Sequence, residues 1–397
     1  MLNNNELLKN CVDKRIEKIR QAMREQGIDL LVLNGPEHIF HCSNFNPILF
    51  SHPLFYILPV DGEPTLLVHS LRGKHSARES VTQNILCHGK WGAQPYVDLD
   101  AYKALSKIMG NLAGKTVATD LRETDVVTYR KICTALNVSD MVNFSDEMLA
   151  QTMVKDAYAI EMIKGAAQLA DKGVEVMEQC LREHTTEAEA VTEAQYAMRK
   201  LWQEKYVKYE VSGFGTHTTG IIDSLNCWVL SGQRLTSSCD CSVDIKPQLG
   251  ELILTFCWGK LGGYHAENER SMIMGEGDAV RMRALEAMWT AQKKVLSMVK
   301  PGCPIKDLYN SAMDIFKEFG FGNILPGRIG HGIGLSPHEE PSISGTSSLL
   351  LQPGMVFTVE PGLTDEAWGA VHHSNTVVVS DTGCEVLTHG DNGLIRI

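Results

Sequence analysis

The sequence predicts an α+β protein in which a smaller α/β domain precedes a larger mixed domain. Three observations carry this. Strand-like and helix-like segments alternate from residue 12 to about residue 150. A long helical stretch begins near residue 155. Beyond it, apolar strand-like runs are interleaved with further helical blocks, and the chain ends in late strands. We therefore expect domains over residues 1–154 and 155–397.

Each element follows from a local pattern. Residues 12–27 carry Ile16, Ile19 and Met23 on one side of a helix, with Gly27 as its C-terminal stop. "IDLLVL" is a buried strand ended by "NGPEH". "LFYILPV", a DGEP turn and "PTLLVHS" read as a hairpin. "VATDL", "TDVVTYRKICTAL" and "DMVNFS" read as strand, helix and strand. Residues 155–184 form one long helix interrupted in pattern only by Gly165 and Gly173. A second helix follows, with N-cap chemistry between Thr185 and Glu189. "NCWVLSG", "ELILTFCWG" and "GGYHAENERSMIMG" are strands, 278–299 and "IKDLYNSAMDIFKEFG" are helices, and "MVFTVEPGL" and "NTVVVSDTGCEVLT" close the chain as strands.

Composition narrows the function class. The formal charge is -11, where a nucleic-acid binder needs a basic surface, so no nucleic-acid partner is expected. No run of 18 apolar residues and no secretory leader pattern appear, so we expect no membrane span and a cytoplasmic location. The 11 cysteines are scattered and read as reduced thiols. The pair Cys239 and Cys241, with no second pair nearby, is a weak metal signal.

The chemistry-bearing stretch is "GHGIGLSPHEEP", which sets His331 and His338 seven apart behind a glycine turn. "ENERS" places Glu267 and Glu269 two apart, hence on one face of a strand. Glu360 stands before Pro-Gly inside an apolar strand, where a carboxylate is costly unless it is paired or functional.

Taken in order, "GGYHAENERSMIMGEG", "GHGIGLSPHEEP", "LQPGMVFTVEPGL" and "NTVVVSDTGCEVLT" resemble the creatinase, prolidase and aminopeptidase P superfamily, whose C-terminal domain has the pita-bread fold. The resemblance runs from about residue 155 to the end, and the N-terminal half resembles the smaller domain of the two-domain members. It implies that metal-dependent relatives hold two ions with two Asp, one His and two Glu, a set suited to Mn, Co, Fe or Zn. Carried over by position, the first Asp falls on Phe256, the second on Glu267, the His on His331, the first Glu on Glu360 and the last Glu on Ser374. Phe256 and Ser374 break the two-ion set.

The resemblance then points to a metal-independent member, similar to creatinase, with no metal and no cofactor. It implies a hydrolase cleaving a C–N bond in a small guanidino or cyclic amidine compound, with a cationic or zwitterionic substrate. Glu269, His331, Glu360 and Cys239 are the expected catalytic residues, Cys239 standing where creatinase-like enzymes carry a proton-transferring His. Glu267, His338, His217, His373 and Asn375 are expected to bind substrate. Phe50 and His52 match residues that reach the partner subunit's site, which implies a homodimer. Two other readings stay open. One is a single-metal Xaa-Pro peptidase or lyase, with the ion on Glu267, His331 and Glu360 and with Cys257 as a further donor after a one-residue slip. The other is a catalytically inactive binding module.

Overall fold

The computed structural model describes residues 2–215, 224–237, 240–391 and 393–397, with side chains from residue 6 on. The chain forms two compact units: the chain up to Thr152 with a stretch starting at Ser212, and Met153–Val211 with the remainder to Ile397.

The first unit runs α1 (Leu2–Glu25), β1 (Leu30–Leu33), α2 (Pro36–Ser43), β2 (Phe55–Pro59), β3 (Thr65–His69), α3 (Gly73–Glu79), β4 (Asn84–His88), α4 (Ala101–Met109), β5 (Val117–Thr119), α5 (Val126–Leu136), β6 (Val142–Asn143) and α6 (Ser145–Met153). Among the described residues its sheet has the order β4-β3-β2-β1-β5-β6. β1–β2 and β2–β3 are antiparallel, and the remaining neighbours are parallel. β1 is buried along its whole length, as a central strand covered on both faces must be. Gly-Pro after β1, expected to end the strand in a turn, instead opens α2, with Pro36 in the first turn where its missing N–H costs nothing. β4, α3 and α4 carry weak patterns that sequence reading passed over.

The second unit begins with α7 (Ala157–Arg182) and α8 (Glu187–Leu201). Asp156 caps α7, and Thr186, one residue later than expected, caps α8 in a reciprocal box with Glu189. There follow β7 (Asn226–Ser231), β8 (Leu252–Leu261), β9 (Tyr264–Ile273), α9 (Ala279–Met298), α10 (Ile305–Glu318), β10 (His331–Gly332), β11 (Glu339–Ser342), β12 (Val356–Val359), β13 (Gly362–Asp365), β14 (Gly369–His372) and β15 (Ser374–Val379). The main sheet has the order β11-β10-β12-β15-β9-β8-β7. β8 and β9 form one long hairpin whose two turn residues, Gly262 and Gly263, have φ of 52° and 89°. That conformation matches the right-handed twist of the strands and favours glycine.

The long helix α7 packs on this hairpin, which explains its two glycines. A Cβ at Gly165 would lie 2.4 Å from Leu261, and one at Gly173 would lie 2.4 Å from the Cys257 sulfur. Helix and sheet approach so closely that only hydrogen fits at these positions. An apolar core including Leu285, Met288, Phe316, Phe357 and Val377 joins α9 and α10 to strands of the main sheet. Among the described residues no helix is long and apolar enough to cross a membrane.

Candidate active site

Four strands of the second unit bring the expected residues together. β9 is buried at every position. Its odd-numbered residues put Glu267 and Glu269 on one face, and its even-numbered Asn268 turns to the other, donating to Asp171 of α7 at 2.7 Å. β10 supplies His331, the end of β12 leads into Glu360, and β15 begins at Ser374. Glu267, Glu269, His331 and Glu360 are 1%, 4%, 2% and 7% exposed. Buried charges at this density are tolerated only when paired or when they hold a cation.

The centre is the trio Glu267, His331 and Glu360, with one donor atom from each lying within 4.8 Å of the others. His331 Nε2 lies 3.3 Å from Glu360 Oε2 and 3.7 Å from Glu267 Oε2. The other ring nitrogen, Nδ1, donates to the Gly332 carbonyl at 3.0 Å, which turns Nε2 toward the carboxylates. Fixing an imidazole through its remote nitrogen is how metal-binding histidines are oriented. The remaining acceptor sites are also served. Trp258 Nε1 donates to Glu267 Oε2 at 2.7 Å, Ser374 Oγ donates to Glu267 Oε1 at 2.6 Å, and Thr358 Oγ1 donates to Glu360 Oε2 at 3.1 Å. Beside the trio, Glu269 pairs with His372 Nδ1.

Crowding sets the protonation states. Burial, then the charges of Glu269 and Glu360, push the Glu267 carboxyl up to about 8. Burial also works against Glu360, but the bond to His331 and its charge hold that carboxyl down to about 2. Burial opposes the charge of His331, yet Glu360 and Glu267 raise it to about 9. His372, opposed by burial in the same way, is raised to about 10, chiefly by Glu269. The cluster gathers protons because three buried carboxyl groups lie close together.

The structure sorts the expected residues. Glu267, Glu269, His331 and Glu360 converge. His338 is exposed, its ring centroid 4.3 Å from that of His331 and 5.6 Å from that of Trp258, so it stands at the rim. Asn375 does not belong here. It follows Ser374 by one residue and so points to the opposite face, where its Oδ1 accepts from Arg270 at 2.8 Å and from Thr388 at 3.2 Å. His373 is fully buried, and its neighbour His372 is the one that engages Glu269. Cys257 is not a further donor: it lies on the helix side of β8, its sulfur 3.1 Å from that of Cys227 and packed against Gly173. Phe50 is buried in the first unit and His52 stacks on His69 there, with ring centroids 3.8 Å apart. His217 and Cys239 lie outside the described residues.

Sequence reading missed Trp258, and of the two adjacent histidines before β15 it favoured His373 over His372. Trp258, two after Phe256, shares its strand face and bonds Glu267, so period-two counting from Phe256 would have found it. His372 needed the start of β15, which sequence pattern places only to within a residue or two.

The fit to metal is therefore specific. Two carboxylates and an oriented imidazole suit one ion. Positions 256 and 374 both stand opposite Glu269 in the ladders, and they offer a phenyl ring and a hydroxyl already committed to Glu267. Among the described residues the donors fit one ion and do not fit a second.

Comparison with known proteins places this geometry. Residues 161–381 match the model of metallopeptidase family M24, and residues 15–154 match the creatinase/prolidase N-terminal domain. The Xaa-Pro dipeptidase of Pyrococcus furiosus is 25% identical over 382 residues, covering 96% of this chain and 99% of that protein. The solved Xaa-Pro dipeptidase from Bacillus anthracis superposes with a TM-score of 0.83 at 22% identity, covering 97% of this chain and 100% of that one. The N-terminal domain of the FACT complex subunit SPT16 from chickpea shares the fold, with a TM-score of 0.75 at 16% identity over 98% of this chain and 99% of that one. The expected architecture, a pita-bread domain behind a smaller N-terminal domain, stands. The expected metal-independent hydrolysis of guanidino or cyclic amidine compounds does not. A metallopeptidase model matches the site-bearing unit, and the full-length relative is named an Xaa-Pro dipeptidase.

Proposed function

This chain belongs to metallopeptidase family M24, a hydrolase family, and from that premise we propose that it hydrolyses the peptide bond of Xaa-Pro-type dipeptides with one divalent ion. The observation that carries the proposal is the buried trio Glu267, His331 and Glu360 with its donor atoms within 4.8 Å. Those three residues would hold the ion. When bound it supplies Lewis acidity toward the scissile carbonyl.

The chain's own groups supply the rest. Peptide hydrolysis takes one proton from water and returns one to the leaving nitrogen. The Glu269–His372 pair lies beside the trio and is not needed as a ligand. Its carboxylate can accept a proton, and its imidazole, raised to about 10, holds one at neutral pH. Burial and the charge of His331 lower His338, so this rim imidazole is neutral near pH 7 and can hydrogen-bond a substrate oxygen or N–H. The Trp258 and Ser374 bonds keep Glu267 in one rotamer, which preserves the ligand geometry.

The test is hydrolysis of a panel of Xaa-Pro dipeptides before chelation, after it, and after return of Mn, Co or Zn. The proposal expects loss on chelation and recovery with metal. Full hydrolysis by a metal-stripped chain would overturn it, as would no hydrolysis of any dipeptide by the metal-loaded chain.

A further inference from the structure

The sheet that carries the carboxylates also carries an aromatic patch on β7 and β8, of which the proposed chemistry uses only Trp258. On β7 and β8 the side chains alternate. Cys227 and Cys257 are buried toward the helices, whereas Trp228, Phe256 and Trp258 are only half-buried on the other face. The three rings pack together, with centroids 5.1 Å apart for Trp228–Phe256, 4.7 Å for Phe256–Trp258 and 5.5 Å for Trp228–Trp258. The patch is continuous with the candidate site, since Trp258 donates to Glu267 at 2.7 Å and touches the His338 ring. Phe256 stands opposite Glu269 in the ladder, so an uncharged ring sits where a second carboxylate ligand is expected from position. Large aromatic rings left partly open beside a buried polar centre are the usual lining of a ligand site.

Resting on the peptidase reading above, we propose that Phe256, flanked by Trp228 and Trp258, floors an apolar subsite for an uncharged ring or branched side chain next to the scissile bond. The space that would serve a second ion serves substrate selection instead. The occupant is the side chain of the first residue, since holding the pyrrolidine ring is already part of the Xaa-Pro reading. A bulky occupant buries ring surface that glycine cannot, and discrimination of this kind is worth roughly 10- to 200-fold.

The experiment compares Phe-Pro, Leu-Pro and Gly-Pro on the metal-loaded chain, as kcat/KM and as calorimetric affinity. The wild type is expected to favour Phe-Pro and Leu-Pro over Gly-Pro by about tenfold or more. Phe256→Ala should bring the relevant ratio below about threefold with metal content unchanged, and Phe256→Leu should keep part of it. Equal kcat/KM for Phe-Pro, Leu-Pro and Gly-Pro in the wild type overturns the subsite and leaves the peptidase reading intact. Wild-type selectivity in Phe256→Ala overturns it too. A chain that hydrolyses none of them, yet binds Phe-Pro tenfold tighter than Gly-Pro, loses the peptidase reading and keeps the subsite.

Discussion

Each unit holds a buried histidine–carboxylate cluster, and the two hold a central carboxyl in opposite states. In the first unit His38 Nδ1 lies 2.6 Å from Asp120 Oδ2, and Ser145 Oγ donates to the other carboxylate oxygen at 2.6 Å. One acid is bonded directly to one base, and the charges of Glu123 and Glu37 act on His38 from nearby. Burial works against Asp120, but His38 and Ser145 hold its carboxyl down to about 2. In the second unit three acids crowd the centre, and Glu267 is forced up to about 8. Asp120 is held ionised by the partners bonded to it, whereas Glu267 is held protonated among neighbouring carboxylates, and a cation in its place would relieve that. That difference separates a structural ion pair from a binding centre more sharply than burial, which the two share.

The comparison breaks most visibly by mutation. His331→Ala or Glu360→Gln should abolish ion binding and lower turnover on the order of 10³-fold, since several kcal/mol of charge stabilisation is removed. The metal-free chain should also melt lower in either variant, because the His331–Glu360 pair that holds the Glu360 carboxyl down to about 2 is lost. Metal analysis, steady-state rates and thermal melts check this together.

Asp120→Asn should do the reverse, costing about 3 kcal/mol of stability while leaving ion binding and turnover intact. The pH dependence has a definite sign. Asp120 is lowered from 3.8, so its contribution is present above that value and lost as pH falls toward about 2. His38 is raised from 6.5, so its contribution is present below 6.5 and lost as pH rises through its folded value. Denaturant unfolding should show the largest gap between wild type and variant between pH 3.8 and 6.5.

The second-unit half of this contrast was legible in the sequence, whereas His38 and Asp120, far apart in the chain, carry no motif that pairs them. The two-residue period of "ENERS" put Glu267 and Glu269 on one face, and the Pro-Gly after Glu360 marked a carboxylate inside an apolar strand. What failed was phase at strand ends. One residue separates Ser374, which bonds Glu267, from Asn375, which bonds Arg270 across the sheet, and one residue separates His372 from His373. Pattern cannot fix such phases where burial is continuous, as it is along β15. The reading that two missing ligands meant no metal also failed. Counting residues shows which donors are lost, but the geometry of the remaining three decides whether one ion still fits.

A subtler difference lies in the protons. Near pH 7 the metal-free centre holds one proton on Glu267, pushed up to about 8, and one on His331, raised to about 9. Both are displaced when an ion binds. Calorimetry in buffers of different ionisation enthalpy should find about two protons released at pH 7, with affinity rising as pH rises toward 8 and more slowly up to about 9. Release of no protons would mean that the ion binds elsewhere.

The smallest effect concerns the supporting hydroxyl. Ser374→Ala removes the 2.6 Å bond to Glu267 without touching a ligand. Outer hydrogen bonds of this kind are worth about 10-fold in metal affinity, and the measured dissociation constant should weaken by about that factor.

The most direct test of the one-ion centre is metal content per chain after equilibration with Mn or Zn and gel filtration, read by inductively coupled plasma mass spectrometry. The account predicts one tightly held ion per wild-type chain and none in Glu360→Gln. Two ions per chain, or an ion retained in Glu360→Gln, would contradict it, as would a wild-type chain that holds none.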